Sequence, residues 1–324
     1  MLTRRKTLQH AATAVAMPFV STTGWAQSYP NRPVRILCGF TPGGLADLSA
    51  RIPAQVLSEK LKQQFIVENR PGAATAIATE AVVRSPPDGY TLLQLAASAA
   101  VNQAVNDKLG FNIVTDLMMV AGTMTSPMVM VVHPSLPVGT AQELLAYVKL
   151  NPGKLSLASF GTGSTSHVCG EYFKMQTGIT MVHVPYRGST PMVTDLIAGQ
   201  VLVAFDNVTN TLTHIRAGKI RALAVCSRAG SEHLPAVPSF SGLIPEFEAF
   251  GWNGIAAPKG TPAAIVEKLN AEINAAMAEP AITARVNELG AEVYRVSAAQ
   301  LAANVAAEVS RWQTVARAAN IKPE

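Results

Sequence analysis

The chain has 324 residues, 48% of them hydrophobic and 6% aromatic, with 26 Lys and Arg against 21 Asp and Glu for a net charge of +5. Three of those cations and no acid lie in the first 26 residues, so the remainder carries only +2. A nearly balanced chain without a Lys/Arg stripe interleaved with aromatics is not built for nucleic acid. Beyond the N-terminus no apolar run reaches the roughly 18 residues of a membrane span, and the length points to two lobes.

The N-terminus reads as an export signal. Arg4, Arg5 and Lys6 precede an apolar stretch over 11–20, and Gly24-Trp25-Ala26 offers a small-residue cleavage site, so an exported mature chain is expected to start at Gln27. Thr3 to Leu8 resembles a twin-arginine signal, and an ordinary Sec signal with adjacent arginines reads equally well.

The apolar run 34–40 is a buried strand ending at a glycine-rich turn, and 45–61 has helical spacing. Residues 66–68 form a second strand, 76–84 a helix, and 90–96 a third strand after the turn Pro86-Pro87-Asp88-Gly89. A long extended stretch covers 117–132. Thr140 and Glu143 make a capping box for a helix to residue 150, which Asn151-Pro152-Gly153 ends. Strand 155–158 leads into a second glycine-rich turn and a helix over 166–177. Then come strand 181–184, helix 191–198, strand 201–205, a short helix 212–217 and strand 222–225. Residues 251–257 cross back. Thr261 caps a helix with Pro262 in its first turn, and Ser297 with Gln300 caps another to residue 319. This alternation predicts α/β layering. Cys38, Cys169 and Cys226 are odd in number and widely spaced, and read as free buried thiols, with one disulfide left open.

The two glycine-rich turns carry the functional signal. Phe40-Thr41-Pro42-Gly43-Gly44-Leu45-Ala46-Asp47 and Ser159-Phe160-Gly161-Thr162-Gly163-Ser164-Thr165-Ser166-His167 each open a helix. A helix N-terminus offers free N–H groups and positive partial charge, so the pair predicts a protein that closes on a carboxylate. Catalysis has little support. Thr162 stands where a nucleophile elbow around Ser164 needs glycine, and no P-loop, zinc-protease motif or complete dinucleotide fingerprint occurs. Ser164 and His167 could only imitate a nucleophile–base pair, and the six histidines lack metal-ligand spacing, so no cofactor or metal is expected.

Ten short motifs in order give the chain a family resemblance. They begin with Tyr29-Pro30-Asn31-Arg32-Pro33-Val34-Arg35, Gly43-Gly44-Leu45-Ala46-Asp47, Val67-Glu68-Asn69-Arg70-Pro71-Gly72 and Pro87-Asp88-Gly89-Tyr90-Thr91-Leu92. Gly163 to His167, His183-Val184-Pro185-Tyr186-Arg187-Gly188, Asp195-Leu196 through Gly199 and Phe205-Asp206-Asn207 follow. Gly218 to Val225 and Ala257-Pro258-Lys259-Gly260-Thr261-Pro262 complete the set. The chain resembles the tripartite tricarboxylate transporter substrate-binding proteins, also called Bug receptors. The resemblance implies an α/β two-lobed periplasmic-binding-protein fold, type II-like, with two crossover strands near 126–129 and 250–254 and a ligand cleft between the lobes. Lobe 1 is expected at 27–127 with 252–324, and lobe 2 at 128–251. It further implies a monomeric receptor that hands a small carboxylate to small and large membrane subunits. The alternative is a sensor that presents its ligand to a signalling kinase.

The candidate ligand-binding residues follow from the turns and the resemblance. Phe40, Thr41, Gly43 and Gly44 bring backbone to the ligand, and Asp47 accepts from a ligand donor or a water, or merely complements the helix dipole. Gly163, Ser164 and Thr165 offer donors, with Ser164 also able to cap. His167, Tyr186 and Asp206 line the cleft wall or orient it; Arg187 either pairs a carboxylate or is solvated. Ser98 and Asn102 follow the 90–96 strand. There Ala96-Ala97-Ser98-Ala99-Ala100 is more apolar than the threonine-rich stretch of the family, which implies a different ligand polarity. The low aromatic content argues mildly against a stacked aromatic ligand.

Overall fold

Apolar runs that end at glycine turns become the strands of one curled mixed sheet. The computed structural model describes residues 29–318; the expected export signal, the expected start at Gln27 and the last six residues lie outside the described residues. The strands and helices are β1 (Val34–Cys38), α1 (Leu45–Leu61), β2 (Phe65–Asn69), α2 (Ala76–Val83), β3 (Thr91–Ala96) and α3 (Ala97–Val105). Next come β4 (Leu117–Val132), α4 (Ala141–Leu150), β5 (Ser156–Ser159), α5 (Thr165–Thr177), β6 (Val182–Pro185) and α6 (Ser189–Ile197). The chain continues with β7 (Val203–Asn207), α7 (Val208–Arg216), β8 (Arg221–Val225), β9 (Phe250–Pro258), α8 (Ala263–Met277), α9 (Pro280–Glu288), β10 (Glu292–Val293) and α10 (Ala298–Ala318).

The strand order is β2-β1-β3-β9-β4-β7-β5-β6, with β8 and β10 also pairing β4. β1 runs parallel to β2 and β3, and β5 parallel to β6 and β7; β9 runs antiparallel to β3 and β4. β4 ties the two groups together. Its residues up to Pro127 pair with β9 and β10, and from Met128 onward they pair with β7 and β8. Parallel strands covered on both faces need near-continuous apolar sequence, and Val34, Ile36, Leu37, Leu92, Leu93 and Leu95 are all almost fully buried. The first half has cores on both sheet faces, built partly from α8 and α10. The second half has one core that includes Phe173, Phe205, Phe240 and Phe247.

Local expectations hold with instructive differences. Ser297 and Gln300 exchange backbone and side-chain bonds as a full capping box. Thr140 accepts from Glu143 N–H, but Glu143 returns its carboxylate to Gly139 N–H instead of Thr140. Thr261 does not cap α8: its hydroxyl donates to Pro258 O at 2.8 Å, and Pro262 is the capping residue. α3 was not expected at all. α7 starts four residues before the predicted helix, at Val208. The three cysteines are free and buried. Among the described residues no helix is long and apolar enough to cross a membrane.

Candidate functional site

A cavity with about 420 Å³ of empty space lies between the two halves. Loop 40–44 forms one wall. Gly43 sits at φ +92°, backbone that favours glycine, and its N–H donates to Asp47 Oδ2 at 3.0 Å. Asp47 also accepts from Arg51 Nε at 2.8 Å and from Asn69 Nδ2 at 2.8 Å, while Asn69 donates a second bond to Phe40 O. Burial alone would raise the Asp47 pKa, but Arg51, Asn69 and the Gly43 amide outweigh it and hold it below the ordinary carboxylate value. Phe40, Thr41 and Gly44 line the cavity; Gly43 and Asp47 do not. The structure places Asp47 behind the loop and outside the cavity lining. Its oxygens already serve three protein donors, and their product is the shape of the loop.

The opposite wall is the start of α5. Ser164 caps that helix by accepting from His167 N–H at 3.3 Å. The Thr165 hydroxyl lies 3.3 Å from Ser98 Oγ, which also accepts from Thr165 N–H. Ser98 and Thr165 line the cavity, whereas Gly163, Ser164 and His167 stand behind it. His167 accepts from Gly163 N–H through Nδ1 at 3.1 Å and stacks on His183 with ring centroids 4.1 Å apart. Burial, then His183, pushes its pKa down to about 3, so the ring is neutral with its proton on Nε2. Ser164 meets the backbone of His167 and not its ring, so the two do not form a nucleophile–base pair.

Asn102 also stands outside the cavity lining. Its amide donates to Ala73 O at 2.8 Å and Ala74 O at 3.3 Å, steadying a left-handed stretch in which Ala73 and Ala74 have φ +46° and +45°. Tyr186 is a third such residue. With Arg187 it borders a separate depression, divided from the cavity by the edge contact of Phe40 with Phe160, and its hydroxyl donates to Asp195 at 2.8 Å.

Asp206 is fully buried just behind the cavity. It accepts from the Ser189 hydroxyl, from Asn210 Nδ2 at 2.7 Å and from Asn207 N–H at 2.7 Å. Burial pushes its pKa up to about 6 despite those donors. Ser189, Asn207 and Asn210 themselves reach the cavity, as do Phe160, Trp252 and Asn253. None of these six was singled out from sequence. The available signal was the three-residue spacing of Asn207 and Asn210 across a helix start, hidden because α7 was begun too late. Asn210 Oδ1 accepts from Leu45 N–H at 2.8 Å, so the second half caps α1 just as Ser98 of the first half caps α5. No Asp, Glu, Lys, Arg or His side chain lines the cavity, and no group of three or more metal-ligating side chains gathers among the described residues.

Comparison with known proteins places this geometry. Residues 49–321 match the model of the tripartite tricarboxylate transporter family receptor. Protein BugT of Bordetella pertussis is 37% identical over 95% of this chain and 97% of its own. The structure of Rpa4515 from R. palustris with adipate superposes with a TM-score of 0.88 at 34% identity, covering 91% of this chain and 100% of that one. The periplasmic binding protein BugD gives 0.87 at 33% identity over 91% of this chain and all of its own. The chain belongs to the tripartite tricarboxylate transporter receptor family, the Bug-type periplasmic solute-binding proteins.

Proposed function

We propose that this protein captures a small carboxylate between its two halves in the periplasm and delivers it to the membrane subunits of a tripartite tricarboxylate-type transporter. The observation that carries the reading is the convergence of the α1 and α5 N-termini on one cavity. Leu45 N–H is occupied by Asn210, so the carboxylate meets the next amide of the first turn, at Ala46, together with the Thr41 hydroxyl and the positive end of the helix dipole. The halves are lobes comprising 27–127 with 252–324 and 128–251. They close by rotation about the two crossing strands, β4 and β9. The adipate bound by the R. palustris relative supports a carboxylate ligand. Membership in a family of binding receptors supports capture in place of turnover.

A thermal-shift screen of the mature protein, stripped of co-purified ligand, against mono-, di- and tricarboxylates tests the reading. An acid present at one hundred times its dissociation constant stabilises the fold by about 2.7 kcal/mol. Failure of every acid, with stabilisation by an uncharged solute, overturns the carboxylate assignment. Delivery is tested by uptake of the identified acid, which is lost when the receptor is deleted.

A further inference from the structure

The polar groups facing the cavity are almost all consumed within the protein. Asn253 Oδ1 accepts from Gln94 at 2.7 Å, Ser189 donates to Asp206, and Asn210 is used at both ends of its amide. Three buried side-chain atoms of the lining residues have no hydrogen-bond partner: Thr41 Oγ1, on the loop wall where the carboxylate is placed, and two at the wall formed by β9 and the end of β7, Trp252 Nε1 and Asn207 Oδ1. Trp252 is 8% exposed and Asn207 6%. The first can only donate and the second, as an amide oxygen, can only accept. A buried polar atom without a partner costs free energy, so a native cavity wall that carries two such atoms is shaped for a group that satisfies both. The Asn207 amide occupies the space left by the absent side chain of Gly251, where a Cβ would come within 2.1 Å of Oδ1.

The charge around that wall restricts the occupant further. No cationic side chain lines the cavity, and the Asp206 carboxylate lies behind Ser189, Asn207 and Asn210. A second carboxylate on the ligand would be desolvated with no counter-charge and with a buried acid near by. An uncharged group that accepts and donates meets neither cost. The remaining wall is apolar, with Phe40, Phe160, Leu45 and Ala97.

Resting on the carboxylate reading above, we propose that the ligand of this protein is a monocarboxylate with an apolar body whose far end is an uncharged hydroxyl or carboxamide, held between Trp252 Nε1–H and Asn207 Oδ1. Asn207 Oδ1, which can only accept, is then the atom that turns a second carboxylate away, while Trp252 Nε1–H fixes the oxygen of the uncharged group.

Matched compounds test this by calorimetry on the mature protein: adipate against its monoamide, and terephthalate against 4-carbamoylbenzoate, with the two diamides as uncharged controls. At least one monoamide binds ten-fold or more tightly than its diacid. Asn207→Ala removes the acceptor and reduces that ratio several-fold, whereas Trp252→Phe, which keeps a ring in place and removes only the donor, weakens monoamide and diacid alike. A diacid that binds as tightly as its monoamide overturns the inference while sustaining the carboxylate reading, as does a ratio unmoved by Asn207→Ala. Binding of the diamides alone overturns both readings; silence from all six compounds overturns the inference and leaves the carboxylate reading to the wider acid screen.

Discussion

Asn210 Oδ1 accepts from Leu45 N–H at 2.8 Å although the two residues stand 165 positions apart. The bond crosses the cleft and caps α1 from the opposite half, and Asp206 fixes the amide by accepting from its Nδ2. Asn210→Ala leaves a helix N–H and a buried carboxylate oxygen short of a partner. The cost is about 2 kcal/mol. Urea unfolding reads that loss, and small-angle scattering reads a larger radius of gyration as the halves part. An unchanged radius means that the closed arrangement is held elsewhere.

Asp47 acts through the loop. Asp47→Ala strips the acceptor from Gly43 N–H, Asn69 and Arg51 together, destabilises the protein by about 2 kcal/mol, and weakens ligand binding because loop 40–44 loses its shape. Gly43→Val abolishes binding through its backbone, since a Cβ at Gly43 would meet only Thr190 Oγ1 at an ordinary 3.7 Å and it is φ +92° that forbids a side chain. Calorimetry with the acid found in the screen checks both. Full affinity in either variant removes the loop from the site.

Two buried groups make opposite demands on pH. Asp206 titrates near 6 when folded against 3.8 otherwise, so the native state binds the extra proton, and stability falls by about 3 kcal/mol as pH rises from about 4 to 6. His167 titrates near 3 when folded against 6.5, so the unfolded state binds the extra proton, and stability is lost as pH falls from about 6.5 to 3. The two slopes cancel between about pH 4 and 6. Melting temperature against pH separates them. Relative to the parent, Asp206→Asn loses stability on acidification through that window and His167→Gln gains it. Parallel profiles for all three proteins contradict the assignment.

Asn102→Ala removes both bonds that hold the left-handed segment at Ala73 and Ala74. The expected loss is about 1–3 kcal/mol in chemical unfolding. A loss below about 0.5 kcal/mol, the scale of an ordinary surface substitution, shows that the segment is held without it.

The strands were legible because buried parallel strands need unbroken apolar runs, and glycine turns end them. α3 was not, because it begins in an alanine run whose capping position, Ala96, offers no side-chain bond. The start of α7 was lost for a similar reason. Asn207 makes no side-chain cap bond, and the Thr-Asn-Thr that follows reads as loop. At the site, the loops could be found from local chemistry, but their partners could not. Asp47 meets Asn69 from 22 residues away and Leu45 meets Asn210 from 165. Composition could not say where its few aromatics lie: a chain with 6% aromatics sets Phe40, Phe160 and Trp252 around its cavity.

The partner change of β4 between Pro127 and Met128 also orders the assembly of the molecule. The second core draws its buried residues from the single uninterrupted stretch Met128 to Ala249. The first core joins Val34 and Ile36 to Leu269, Ile273 and Val286, from opposite ends of the chain. Contacts that distant in sequence close late. During synthesis or refolding, the middle of the chain can therefore become native while the segment before it still waits for its C-terminal helices. In that interval β3 has no β9 beside it, and its open edge is the part of the chain most exposed to pairing with a neighbour.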